Sequence, residues 1–414
     1  MIVQKSFILL LTFFFVVQAQ KPLVLDIKKN KISIFDPVNK LLSHRKIRYD
    51  HQRKLYNTIN KREQSSFNVG IDNYLWSYLV TVGIGYPRKD FNLVIDTGSA
   101  ILWVPSVKCS QTTCPSTTKN IQYFDPSVSK TYQLKNNNKF ALTYGSGEAS
   151  GQVGQDTITI ATQVTKGLLD DGINGIFGLA PSLASKNFNT RQEIWKTPID
   201  QLISNGMIQR NLFSVYFDST DKEEELESTN GKLTIGGLPD NTTYTGTIQW
   251  TNRIINDFYK VYWGIQLKSV HINNKTIGQS LTGITDTGST MIIFNTQYEK
   301  QLMDAFKIVT KDEATDVYYV KCDQVSELPD LLFYLNNNNN KPLRLTPQQY
   351  TAPPWQSNYW KLNNQECPLY ITTETFGGNQ MDFILGQKFL EYHVSIYDSD
   401  YDRLGFAPSV HHKG

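Results

Sequence analysis

From about residue 73 onward, apolar and β-branched positions fall in short runs. The clearest are 77–85, 91–95, 140–144, 156–160, 213–217, 231–235 and 259–270, punctuated by Gly, Asn and Pro. Runs of this length between turn residues predict a mostly β protein. Helical patterning is sparse. Residues 198–205 and 296–308 carry it best, the second opening at Asn295 or Thr296 as a helix cap. The asparagine runs 136–138 and 336–340 predict loop tips, and the charged run 222–227 a solvated loop. Tyr262-Trp263 falls inside a β pattern and predicts strand core.

The N-terminal 72 residues read differently. Lys5 precedes an apolar run over 7–17 broken only by Thr12, and Gln18-Ala19-Gln20 closes it. That is the pattern of a signal peptide over 1–20, and the run is short for a bilayer span. Residues 21–72 are basic and polar with scattered apolar positions, and Lys61-Arg62 is a candidate processing site. A boundary near 248 divides the remainder into an N-terminal lobe, 73–248, and a C-terminal lobe, 249–414.

That division rests on a repeat. Residues 91–95 lead into Asp96-Thr97-Gly98-Ser99, and residues 281–285 lead into Asp286-Thr287-Gly288-Ser289. Each copy is followed by an apolar run, 101–104 and 291–294. Each is answered later by an apolar pair and a glycine, 176–178 and 384–386. One set of motifs used twice implies two similar lobes.

Charge sharpens the picture. The 414 residues carry 41 Lys/Arg and 38 Asp/Glu, a net of +3. Residues 1–62 hold 13 basic and 3 acidic side chains, a net of +10, leaving 28 basic and 35 acidic residues in 63–414, a net of −7. A basic segment ahead of an acidic body suits a pro-segment held by charge. A nucleic-acid role is disfavoured, because the acidic body would repel phosphate. The four cysteines permit three pairings; Cys109–Cys114 and Cys322–Cys367 are favoured because each closes a loop within one half of the chain. Asn241 and Asn274 open N-glycosylation tripeptides. Serine-hydrolase Gly-x-Ser-x-Gly and zinc-binding His-Glu-x-x-His are both absent from the sequence.

The duplicated turn has its own chemistry. Glycine lets the chain turn sharply and another backbone approach closely. Threonine and serine hydroxyls can hydrogen-bond backbone groups or a carboxylate. Two such aspartates facing each other could not both ionise easily, so the pair would hold one proton. The ionised member could take a proton from water while the protonated member polarises a carbonyl. This chemistry needs no cofactor and no metal.

Residues 73–410 resemble the pepsin family of two-lobed aspartic proteases. Val94-Ile-Asp-Thr-Gly-Ser-Ala-Ile-Leu-Trp-Val-Pro-Ser106 is similar to its first active-site segment. Tyr144-Gly145-Ser146-Gly147 is similar to its flap, and Phe383-Ile-Leu-Gly-Gln-Lys-Phe-Leu-Glu-Tyr-His-Val-Ser-Ile-Tyr-Asp398 with 404–408 to its ending. The resemblance implies a bilobal fold with a cleft between the lobes, and an endopeptidase with Asp96 and Asp286 as the dyad. Thr97, Gly98, Ser99, Thr287, Gly288 and Ser289 would support the dyad. Tyr144, Gly145, Ser146, Gly147, Trp103 and Thr290 would meet substrate or the flap, with Trp103 bonding Tyr144. The favoured disulfides match two of the family's. The partners implied are protein and peptide substrates and the chain's own propeptide, in a monomer without a membrane span once mature. The setting implied is acidic: a lysosome, a vacuole or the extracellular space. Two departures stand out. The stretch between Tyr144 and Ile176 is shorter than the family's, and Gln387 replaces a commonly acidic residue. An inert binding module of the same fold is the main alternative, and the intact turns argue against it.

Overall fold

The computed structural model describes residues 23–30, 77–109, 114, 121–144, 147–156, 159–164, 173–188, 194–218, 229–312, 317–337, 340–376 and 381–411. The signal peptide, Lys61-Arg62 and the charged run 222–227 lie outside them, as do Gly145 and Ser146 of the flap.

The chain is mostly strand and folds as two related lobes. Among the described residues the larger sheet has thirteen strands. Its order from one edge is Gln249–Asn252, Arg403–Pro408, His393–Asp398, Leu212–Phe217, Thr229–Ile235, Leu23–Asn30, Ser77–Ile84 and Lys89–Asp96. It continues through Ile176–Gly178, Trp103–Pro105, Thr159–Val164 and Gly147–Gln155 to Gln133–Tyr144. A seven-stranded sheet centres on Gly264–Ile272, Lys275–Thr285, Phe383–Leu385 and Ile292–Asn295. The C-terminal strands 393–398 and 403–408 pair into the larger sheet, so that sheet runs across the expected boundary at 248.

The sequence repeat becomes a repeated crossing of strands. Lys89–Asp96 runs parallel to Ile176–Gly178, which is antiparallel to Trp103–Pro105. In the second copy Lys275–Thr285 runs parallel to Phe383–Leu385, which is antiparallel to Ile292–Asn295. The glycine closing each element is sterically required. A Cβ on Gly178 would lie 2.3 Å from the Ile101 amide nitrogen, and one on Gly386 would lie 2.3 Å from the Met291 carbonyl oxygen. The strand entering the first turn is buried at Phe91 and over Leu93–Asp96, and Ile292–Asn295 is buried throughout. The turns therefore rise from a packed apolar floor.

The expected strands at 77–85, 91–95, 140–144, 213–217 and 231–235 are present with small changes of boundary. The helix at 198–205 is Pro198–Ser204, with Thr197 and Asp200 forming a reciprocal cap. The segment 296–308 splits into a tight turn over Thr296–Tyr298, capped by Asn295, and a helix over Glu299–Phe306.

Three expectations are corrected, and one element was not anticipated. Residues 259–270 are not one strand: Tyr259–Val261 is a 3₁₀ turn and the strand begins at Gly264, leaving Tyr262 and Trp263 as buried core just ahead of it. Asn136–Asn138 is not a loop tip but lies within the strand Gln133–Tyr144, where the pairing register slips between Leu134 and Lys139. Of the run 156–160, Asp156 lies in a bend after the strand Gly147–Gln155, Thr159 and Ile160 open the strand Thr159–Val164, and 157–158 lie outside the described residues. Within 21–72, Leu23–Asn30 is a strand inserted between Thr229–Ile235 and Ser77–Ile84. Its register shifts between Asp26 and Lys28.

Candidate active site

Each Asp-Thr-Gly-Ser turn begins where an apolar strand ends, and each aspartate is buried, with 1% exposure for Asp96 and 0% for Asp286. A carboxylate removed from water must be hydrogen-bonded, and the turn itself supplies the donors. The Gly98 amide donates to Asp96 Oδ1 at 2.9 Å and Ser99 Oγ to Oδ2 at 2.6 Å. The second turn repeats this: the Gly288 amide donates to Asp286 Oδ1 at 3.0 Å and Ser289 Oγ to Oδ2 at 2.6 Å. In both, glycine serves the inner oxygen and serine the outer one.

The threonines join the two turns. The Thr97 amide donates to Thr287 Oγ1 at 2.9 Å, and Thr97 Oγ1 donates to the Thr285 carbonyl at 3.2 Å. In return the Thr287 amide donates to Thr97 Oγ1 at 3.0 Å, and Thr287 Oγ1 to the Ile95 carbonyl at 2.9 Å. The exchange brings the carboxyls face to face. A Cβ on Gly98 would lie 2.9 Å from Asp286 Oδ1 and 3.1 Å from Asp96 Oδ1. Both inner oxygens thus border one small space, which a side chain at 98 would fill.

Support from behind differs between the lobes. On the first side the Leu179 amide donates to the Asp96 carbonyl and the Ala180 amide to the Ser99 carbonyl, both at 2.8 Å. On the second the Gln387 amide donates to the Ser289 carbonyl at 2.6 Å and the Lys388 amide to the Thr290 carbonyl at 3.0 Å. Gln387 Nε2 also donates to the Thr287 carbonyl at 2.7 Å. A carboxylate at 387 could not make that last bond unless protonated.

At one edge of the larger sheet, Gln133–Tyr144 and Gly147–Gln155 form a hairpin. Buried Trp103 donates through Nε1 to Tyr144 Oη at 2.8 Å, with ring centroids 6.4 Å apart. Thr290 is half-buried beside the second turn. Cys109 is bonded to Cys114 and Cys322 to Cys367, with Cα separations of 5.5 and 5.0 Å. Asn241 and Asn274 are both exposed.

The arrangement is that of paired, buried, hydrogen-bonded carboxylates at a junction of two lobes. The eukaryotic aspartyl protease family's sequence model matches residues 77–409. The chain belongs to that family. Pepsin A from Bos taurus is similar at 28% identity over 82% of this chain and 86% of its own length. Gastricsin from Cavia porcellus is 31% identical over 81% of this chain and 80% of its own. The crystal structure of aspartic proteinase from Irpex lacteus superimposes with a TM-score of 0.69 at 26% identity, covering 82% of this chain and 96% of that one. This aspartyl protease therefore has the bilobal pepsin-like fold, and it is an aspartic-type endopeptidase acting on peptide substrates. Among its described residues no helix is long and apolar enough to cross a membrane.

The duplicated motif names the residues of the two turns but not the exchange between them. Thr97 and Thr287 bond across 190 positions, a distance over which no local signal operates. Gln387 was visible only as a departure from an acidic position. Its bond to Thr287 needed the fold.

Proposed function

We propose that Asp96 and Asp286 share one proton and activate a water that hydrolyses peptide bonds at acidic pH. The observation that carries this is the convergence of both inner oxygens on the space over Gly98. Two buried carboxylates this close cannot both ionise without a large electrostatic cost. The ionised member takes a proton from the water as it attacks the scissile carbonyl. The protonated member donates to the carbonyl oxygen, and the amine leaves after gaining a proton. Tyr144, steadied by Trp103, closes over the bound peptide together with Gly145, Ser146 and Gly147, and Thr290 contacts substrate on the other side.

The chain is made as an inactive precursor of the secretory pathway, bound for an acidic compartment or the exterior, and works as a monomer. Residues 1–20 direct entry, and 21–72 inhibit. Supporting this are the net charge of +10 over 1–62 against −7 beyond and the strand Leu23–Asn30 built into the larger sheet. Acid neutralises carboxylates of the body and weakens that electrostatic hold. Asn241 and Asn274 carry N-linked glycans.

The test is to hold purified precursor at about pH 3–4, the range in which a carboxyl pair can keep one proton. N-terminal shortening and cleavage of denatured haemoglobin should begin together. Asp96→Asn and Asp286→Asn should fold and remain inactive. Wild-type-like cleavage by either variant would overturn the assignment.

A further inference from the structure

The short helix Gln387–Leu390 holds the second turn through the two amide bonds from Gln387 and Lys388. Four residues are too few to make a helix stable by itself. Its placement must come from what its side chains are fixed to.

One of those side chains is out of place in a protein core. Lys388 is 9% exposed, and its Nζ lies 2.7 Å from Oε2 of Glu391, which is 2% exposed. The ammonium also lies 4.3 Å from the centre of the Tyr370 ring and 5.8 Å from that of Tyr392. The other oxygen of Glu391, Oε1, accepts from Tyr78 Oη at 2.7 Å. Tyr78 belongs to the strand Ser77–Ile84, is fully buried, and stacks on Phe217 at 3.8 Å. A continuous chain of short contacts thus runs from the backbone behind Asp286 to the beginning of the N-terminal lobe, between residues 313 positions apart.

A buried ion pair is a poor source of stability, since desolvation costs several kcal/mol per ion and apolar residues of similar size often do as well. What it supplies is geometry. An ammonium and a carboxylate buried together tolerate few alternative arrangements, whereas an apolar contact slides. Here the pair joins the one-turn helix that carries a catalytic turn to a rigid strand of the other lobe.

We propose that Lys388, Glu391 and Tyr78 form a positioning relay that fixes the second Asp-Thr-Gly-Ser turn against the first strand of the N-terminal lobe. It rests on the reading that Asp286 is a catalytic carboxylate. None of the three touches substrate. Loosening them displaces Asp286 relative to Asp96 and slows the chemical step, while the peptide-binding surface, and so KM, is left alone.

The experiment measures kcat and KM with a peptide substrate for Tyr78→Phe, Glu391→Gln, Lys388→Met and the pair Tyr78→Phe/Glu391→Gln, all well below their melting temperatures. Tyr78→Phe keeps the stacked ring and is the variant certain to leave the core filled. It should lower kcat by about threefold, and Glu391→Gln by about tenfold, as small misplacements of reacting groups do. KM should stay within about twofold, and the double variant should lose less than the product of the single losses, since the two act through one contact. Lowered melting temperatures with unchanged kcat, or multiplicative losses in the double variant, would overturn the relay. Asp286→Asn measured alongside separates the two claims. If it stays active the catalytic reading fails. If it is dead while Tyr78→Phe turns over normally, only the relay fails.

Discussion

Thr97 and Thr287 each donate a backbone amide to the other's hydroxyl, at 2.9 and 3.0 Å. Both hydroxyls pass a hydrogen bond onward to a carbonyl of the facing strand, so four buried bonds cross the lobe junction directly beneath the carboxyls. Replacing either threonine by valine keeps its shape and leaves a buried amide and a buried carbonyl without partners. The expected cost is about 2–4 kcal/mol with a fall in kcat, and serine should restore most of both. Thermal unfolding and steady-state kinetics on Thr97→Val, Thr97→Ser and the same changes at 287 check this. An unchanged melting temperature in the valine variants would contradict it.

Trp103 and Tyr144 give a separate prediction about the hairpin of Gln133–Tyr144 and Gly147–Gln155. The Nε1–Oη bond of 2.8 Å is the polar tie between the hairpin and the packed strand Trp103–Pro105. Trp103→Phe and Tyr144→Phe should each lower kcat/KM by about tenfold, roughly the value of one buried hydrogen bond. The double variant should be little worse than either single one, because the same bond is lost once. Independent, multiplicative losses would show that the two act separately.

The glycines that close the repeated crossings should not tolerate even a methyl group. A Cβ at 178 or 386 meets backbone at 2.3 Å, and backbone cannot swing aside as a side chain can. Gly178→Ala and Gly386→Ala should each destabilise by about 3 kcal/mol or more. Denaturant titration would reveal this, and soluble protein of wild-type midpoint would refute it.

Stability should also depend on pH through Glu299. Burial raises its carboxyl pKa, but the bonds from Lys311 at 2.7 Å and from Tyr318 Oη at 2.6 Å outweigh this and hold it below the ordinary value of 4.5. A depressed carboxyl stabilises the fold above its unfolded pKa, and that contribution disappears as pH falls through the folded value. Glu299→Gln should therefore cost up to about 1 kcal/mol near neutrality and almost nothing near pH 3. Melting temperatures of the two proteins should converge on acidification; a gap that widens would reverse the sign.

The turns were legible because duplication made them so. A single Asp-Thr-Gly is an ordinary turn, whereas two copies, each preceded by a strand and answered by a glycine, specify a symmetric junction. Trp103 and Tyr144 were legible through family resemblance alone, since nothing in their spacing requires them to touch. Lys388 and Glu391 were unreadable as a buried pair: Lys and Glu three apart normally describe a solvated face, and only the packing of Tyr78, Tyr370 and Tyr392 around them says otherwise. Asn136–Asn138 misled for a related reason. Asparagine favours turns locally, yet 136–138 fall within the strand Gln133–Tyr144, at the place where its register against Gly147–Gln155 slips. The break at Tyr259–Val261 went unseen because aromatic residues suit a strand equally well.

The strand Leu23–Asn30 sits inside the larger sheet, flanked on both sides rather than at a margin. Its backbone is laced to Ser77–Ile84 on one side and to Thr229–Ile235 on the other. Severing the peptide bonds downstream of Asn30 would therefore not by itself dislodge it. Nicked and intact molecules would share one shape and migrate together until a denaturant separated the pieces, and full release would demand a substitute strand to occupy the furrow left behind.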